Sequence, residues 1–112
     1  MNMVEQYLRE MIVTFNKKAA EDPKLAKEFA GVKRLVEIVV TDGESYHFLL
    51  ENSRVGELQM GKATNPEISV VASKETFDQL RSGDLRPMKA LALKKLKVHA
   101  TLEDMLRLRK FF

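Results

Sequence analysis

At Val32 the spacing of apolar residues changes from a helical period to a period of two, and that switch sets what the chain can fold into. Before it, Val4, Tyr7, Leu8, Met11, Ile12 and Phe15 recur at i, i+3, i+4 and i+7 and form one stripe. Glu5, Arg9, Glu10 and Lys17 lie off that stripe, so the segment reads as a helix that packs on a core. Asp22-Pro23 gives an N-cap followed by proline at the first helical position, which starts a short second helix. Leu25 and Phe29 turn inward there, and Gly31 ends it. After the switch, Val36, Ile38 and Val40 point one way while Glu37 and Thr41 point the other. Asp42-Gly43 is a hairpin turn signal, and Tyr46–Glu51 is the returning strand. Asn52-Ser53 turns the chain into a third strand, Val55–Met60. A loop over Gly61–Asn65 leads through Pro66 to a strand at Glu67–Ala72. Helices gathered before and after a mostly antiparallel sheet define an α+β fold.

The closing stretch, Pro66–Phe112, carries nearly every residue that could face a ligand. Ser73 is placed to cap a helix over Lys74–Arg81 that bears Phe77 and Leu80, and Gly83 suits its end. Pro87 opens another helix, Met88 to about Leu93. Leu96 and Val98 alternate with Lys95, Lys97 and His99 as a fifth strand. Thr101 and Asp104 stand in the capping-box relation and start a terminal helix.

A chain of 112 residues is one domain, long enough for one core. With no cysteine, disulfides and thiolate zinc sites are excluded. Glu5, Arg9 and Glu10 interrupt the first residues too early for a signal peptide, and no run approaches a membrane span, so the expected location is cytoplasmic. The overall charge of +3 is uneven: residues 1–80 carry −3 and residues 81–112 carry +6. A basic final third suits an anionic partner such as a membrane surface, or it is a solvated basic face.

Catalytic motifs do not appear. His47 and His99 lack neighbours that would complete a metal site, no serine lies in a nucleophile elbow, and the five glycines are too scattered to cradle a phosphate. No cofactor is implied. The basic third lacks the interleaved aromatics of an RNA-binding sheet, so specific nucleic-acid binding is not expected. What remains is apolar surface. On the terminal helix Leu102, Met105, Leu106, Leu108 and Phe112 spread over more than half of the circumference, and Arg109 falls inside that arc. Such a helix needs partners on more than one side. The second could be the preceding helix, a ligand, another subunit or a membrane, with plain core packing as the simplest case. Met60, Met88 and Met105 are adaptable linings or core filler.

The run Ile68–Phe77, the restart Leu80-Arg-Ser-Gly-Asp-Leu-Arg-Pro87 and the segment Ala90–Val98 with its Lys95-Leu96-Lys97 resemble the sterol carrier protein-2 family of lipid-transfer domains. Gly83, Pro87, Lys95, Leu96 and Lys97 carry the pattern in order, and Asp42-Gly43 and Gly56 also fit it. The resemblance spans roughly residues 30–112 and implies a five-stranded sheet with helices over one face around an apolar tunnel for fatty acids, acyl-CoAs or sterols. It also implies a noncatalytic domain. Two positions depart from the pattern: Lys94 and Ala100 stand where glycine is common, which implies a stiffer hinge at the tunnel mouth. The chain ends in Arg-Lys-Phe-Phe, without the Ser-Lys-Leu peroxisomal address of some relatives.

The expected ligand-binding set is Phe77, Leu80, Met88, Leu91, Leu93, Met105, Leu106, Leu108, Arg109 and Phe112. Arg109 either pairs with a carboxylate or phosphate head or simply snorkels. Lys94, Lys95, Lys97, Arg107 and Lys110 are the expected membrane-facing charges. The competing reading is an interaction module or homodimer whose tunnel is filled by its own side chains. An enzyme on this fold is the weakest reading.

Overall fold

The structure, a computed structural model, describes residues 2–109. Helices form where the sequence supplies an acceptor for the free N–H groups of the first turn. Asn2 Oδ1 accepts from Glu5 N at 2.8 Å to open α1 (Met3–Glu21), and Asp22 Oδ1 accepts from Lys24 N at 3.0 Å to open α2 (Pro23–Phe29). The strands follow: β1 (Lys33–Val40), β2 (Tyr46–Glu51), β3 (Arg54–Val55), β4 (Gln59–Met60) and β5 (Ile68–Ala72). Ser73 Oγ accepts from Thr76 N at 3.2 Å to start α3 (Lys74–Ser82). The chain finishes with α4 (Pro87–Ala92), β6 (Lys97–His99) and α5 (Leu102–Leu108), the last capped by Thr101 Oγ1 accepting from Asp104 N at 3.1 Å.

The sheet runs β3-β2-β1-β5-β6, with β4 also paired to β2. It is mostly antiparallel, as expected. Two features differ from the sequence reading. The stretch Val55–Met60 is not one strand but two, because Val55 and Leu58 are both buried. Residues three apart cannot share a face of a regular strand, so the chain breaks at Gly56, whose N–H bonds Leu49 O at 2.8 Å. The next strand, β5, does not extend the hairpin edge. It crosses back to the free side of β1 and runs parallel to it, with Val36 opposite Ile68 and Val40 opposite Ala72. Glu67 fixes that entry: its N–H bonds Leu35 O at 3.0 Å and its carboxylate accepts from Leu35 N.

The period-two pattern places Val36, Ile38 and Val40, Tyr46, Phe48 and Leu50, and Ile68, Val70 and Ala72 on one buried face beneath the helices. On the other face Lys33, Leu49, Lys97 and His99 are exposed. Glu37 is the exception there. It is buried under the β4–β5 loop, where its carboxylate accepts from Ala63 N at 2.8 Å and Ser69 Oγ at 3.4 Å. α1 is tied across the sheet at both ends: Asn2 Nδ2 donates to Tyr46 Oη at 2.8 Å, and the Asn16 amide exchanges two bonds with the backbone of Val55, at 2.9 and 2.8 Å. Phe15 and Phe29 meet edge to face at 5.1 Å and join the two N-terminal helices.

Candidate apolar ligand site

Two apolar spaces lie between the helices and the sheet, and Leu108 borders both. The inner one is roofed by Tyr7, Leu8, Met11 and Ile12 of α1 and floored by Val36, Ile38, Phe48, Leu50 and Val70, with Phe77 from α3 closing one side. Its cavity volume is about 50 Å³ and its wall is apolar throughout. That is about the room of one or two water molecules, and without polar partners such a space stays dry. Burial pushes the Tyr7 phenol above its ordinary pKa of 10.0.

The outer space is a groove of about 370 Å³ lined by Arg86, Pro87, Met88 and Leu91 of the α4 region, Leu96 and Val98 of the β6 strip, and Met105, Leu108 and Arg109 of the α5 region. That volume falls within the roughly 300–1,000 Å³ of small-molecule sites; the inner space does not. Neither Arg86 nor Arg109 has an ion-pair partner among the described residues, so two guanidinium groups stand free at the groove. An apolar wall with two cations suits an apolar molecule with an anionic end.

Local chemistry explains the groove's two walls. α4 ends in a Schellman motif: Lys95 N bonds Ala90 O at 2.9 Å and Lys94 N bonds Leu91 O at 3.1 Å. The residue just after the C-cap Leu93 must be left-handed, and that residue, Lys94, has φ +60°. Glycine does this without steric cost, so lysine here holds the turn under local strain. The chain then alternates. Leu96 and Val98 line the apolar groove, while Lys95 and Lys97, with Lys94, line a separate polar hollow beside α3. α5 is held by an unusual anchor: Asp104 is buried and accepts from Arg34 Nε and Arg107 Nη1, each at 2.9 Å.

This geometry sorts the expected site residues. Met88, Leu91, Met105, Leu108 and Arg109 come together around the outer groove. Phe77 is in the wall of the inner space, and Leu80 is buried in the core without lining either space. Leu93 and Leu106 were expected to face inward, but both are exposed and line neither space. For Leu106 the cause is Asp104, whose ion pairs turn the opposite side of α5 inward; Leu93 is the last residue before the left-handed turn at Lys94. Arg107, expected among the membrane-facing charges, is instead paired with Asp104. Phe112 and Lys110 lie outside the described residues. Met60 sits exposed on β4, away from both spaces. The sequence reading missed the α1 wall of the inner space and Arg86. The α1 signal was present, since Tyr7, Met11 and Ile12 widen the stripe beyond what Val4, Leu8 and Phe15 need for burial. Among the described residues no cluster of His, Asp or Glu could hold a metal ion, and no helix is long and apolar enough to cross a membrane.

Residues 14–112 match the model of the SCP-2 sterol transfer family. The chain belongs to that family. Comparison with curated proteins gives no match. Among solved structures, a conserved hypothetical protein of Thermus thermophilus shares the fold at TM-score 0.66 and 15% identity, covering 96% of this chain and 82% of its own. Sterol carrier protein-2 of Aedes aegypti in complex with palmitate aligns at TM-score 0.61 and 17% identity, covering 99% of this chain and 96% of its own. The sec-alkylsulfatase Pisa1 from Pseudomonas sp. aligns at TM-score 0.57 and 18% identity over 77% of this chain, and this chain spans only 13% of that enzyme. The fold therefore serves both as a separate carrier and as a part of an enzyme. Family membership agrees with the resemblance carried by Gly83, Pro87 and Lys95-Leu96-Lys97.

Proposed function

We propose that this member of the SCP-2 family is a noncatalytic carrier. It binds one acyl-chain lipid in the groove between α4 and α5 and exchanges it with an anionic membrane surface. The observation that carries the reading is the apolar groove of about 370 Å³ with Arg86 and Arg109 free at its wall. The palmitate complex of the Aedes aegypti relative supports an acyl chain as the ligand class. In this reading the head of a fatty acid or acyl phosphate pairs with the two arginines, and its tail lies against Met88, Leu91, Leu96 and Met105. A rotamer change at Leu108 then joins the groove to the inner space and makes a continuous tunnel. Met11 and Tyr7 are the side chains that yield to a longer tail.

The small inner volume favours a second reading, a module whose interior is already filled by its own side chains. A chain-length series separates the two. Each methylene transferred from water contributes about 0.8 kcal/mol, so affinity for fatty acids should rise about tenfold for every two carbons until the space is full. Displacement of a fluorescent fatty acid measures this. In Leu108→Ala the plateau is expected at a longer chain than in the unmodified protein. Saturable binding that never appears for any fatty acid, acyl-CoA or sterol would leave the second reading standing.

A further inference from the structure

A second concavity lies on the far side of the β6 strip from the apolar groove. It holds about 330 Å³ and is walled by Lys94, Lys95 and Lys97 on one side and by Thr76 and Gln79 of α3 on the other. None of the three lysines has an ion-pair partner among the described residues, and Glu75 is the one carboxylate on the wall. Alternation along the strip sends Lys95 and Lys97 to this side, while Leu96 and Val98 line the groove. The left-handed turn adds Lys94, at a steric cost that glycine would avoid. Strained backbone clusters at ligand clamps, and here the strained residue brings a third cation to one hollow. Thr76 gives an independent sign, for it is only 5% exposed. Its oxygen accepts from Ser73 Oγ at 3.2 Å, and its own O–H has no acceptor among the described residues, so a buried donor is left for the hollow.

We infer that this hollow binds a small soluble phosphate ester. The lysines pair with the phosphate oxygens, Thr76 and the Gln79 amide supply neutral hydrogen bonds, and Val71 takes the carbon part of the ester. The volume suits such a molecule, since small-molecule sites begin at roughly 300 Å³. Three like charges in one hollow repel one another, and a doubly charged phosphate turns that repulsion into attraction. A phosphate monoester also offers three acceptor oxygens to three lysines, which a carboxylate does not. A lipid headgroup carries the same chemistry, but no exposed large hydrophobic side chain lines the hollow to enter a membrane interface. The site does not depend on the carrier reading, because it shares no lining residue with the groove or with the inner space.

The test titrates the full chain with inorganic pyrophosphate and with glycerol phosphate, by calorimetry and by the shift in Tm, at constant ionic strength set with chloride. Two variants are compared. Lys95→Gln/Lys97→Gln removes two charges from exposed residues, so the fold should persist. Lys94→Gly removes the third charge and relieves the turn. The expected result is saturable binding that weakens about tenfold or more in the double variant. Lys94→Gly should melt higher than the unmodified protein without phosphate, yet gain less when phosphate is added. A purely structural role for Lys94 would not produce that crossing. Absence of saturable binding to both phosphates would overturn the inference, as would equal affinity in the double variant. Vesicles of phosphatidylcholine with phosphatidic acid present the same phosphate on a lipid. Binding to these through Lys95 and Lys97, with no response to the soluble phosphates, would also overturn the inference and reassign the hollow to a headgroup. Fatty-acid displacement in the same samples scores the carrier reading separately.

Discussion

The inner cavity and the outer groove are both apolar and share Leu108, yet they are built to different tolerances. The inner one is enclosed by buried strand residues and α1, which is tied down by Asn2 and Asn16. The outer one is bounded by a six-residue helix, α4, and a seven-residue helix, α5, joined through a three-residue strand. Short helices have little stability of their own and depend on tertiary anchors. The interior thus supplies stability, and the periphery supplies a surface that can open. Local openings of low free energy are drawn from elements of the second kind.

If that division is right, Phe77→Ala gives the largest effect and confines it to stability. It removes a buried ring from the inner wall and should cost about 3–5 kcal/mol. Urea unfolding would show a lower midpoint with the slope kept, while affinity per folded molecule for a short fatty acid that fills only the outer groove stays close to that of the unmodified protein. A large loss of affinity would instead merge the two regions into one site. Asp104→Asn probes the other side. It strips the charge that Arg34 and Arg107 share, but both arginines are partly exposed and can find water, so a loss of about 1–3 kcal/mol is expected. Here ligand exchange should change more than global stability does. Faster release of the fluorescent fatty acid, followed by stopped flow, is the expected outcome. Release at the original rate would mean that α5 does not control the groove. The smallest effect belongs to Lys94→Gly. A left-handed lysine costs about 1–2 kcal/mol, and glycine returns part of that gain through its greater freedom in the unfolded chain. A net stabilisation of about 0.5–1 kcal/mol should appear as a modest rise in Tm.

Much of this arrangement could be read from residue spacing. The caps at Asp22, Ser73 and Thr101, the hairpin at Asp42-Gly43 and the inward row Val36, Ile38 and Val40 are local signals, and each element formed where its signal lay. Long-range partners were not legible. Nothing in the alternation of Ile68 and Val70 tells whether β5 joins the hairpin edge or the far side of β1. The facing of α5 failed for the same reason. Its apolar arc covers so much of the circumference that hydrophobicity alone does not orient it, and the deciding contact is with Arg34, seventy positions earlier in the chain. Met88 and Leu91 were legible from the proline-started apolar helix in the segment that the family pattern marks, and Met105 and Leu108 from the apolar arc of the terminal helix, whereas Arg86 needed the three-dimensional rim to acquire meaning.

The parallel pairing of β1 with β5 has a consequence for the chain as it is made. β1 and β2 are joined by a short turn and can zip as soon as both have been synthesised. The other edge of β1 then has no neighbour until Ile68–Ala72 arrives. Through that interval a nascent chain carries an open, valine-rich strand whose N–H and C=O groups would accept any extended peptide. A product cut short between Asn65 and Ile68 would keep that edge permanently and should be collected by chaperones or precipitate. The closing stretch that walls the apolar groove thus also brings the strand that seals the sheet, so groove and sheet closure arrive together late in synthesis.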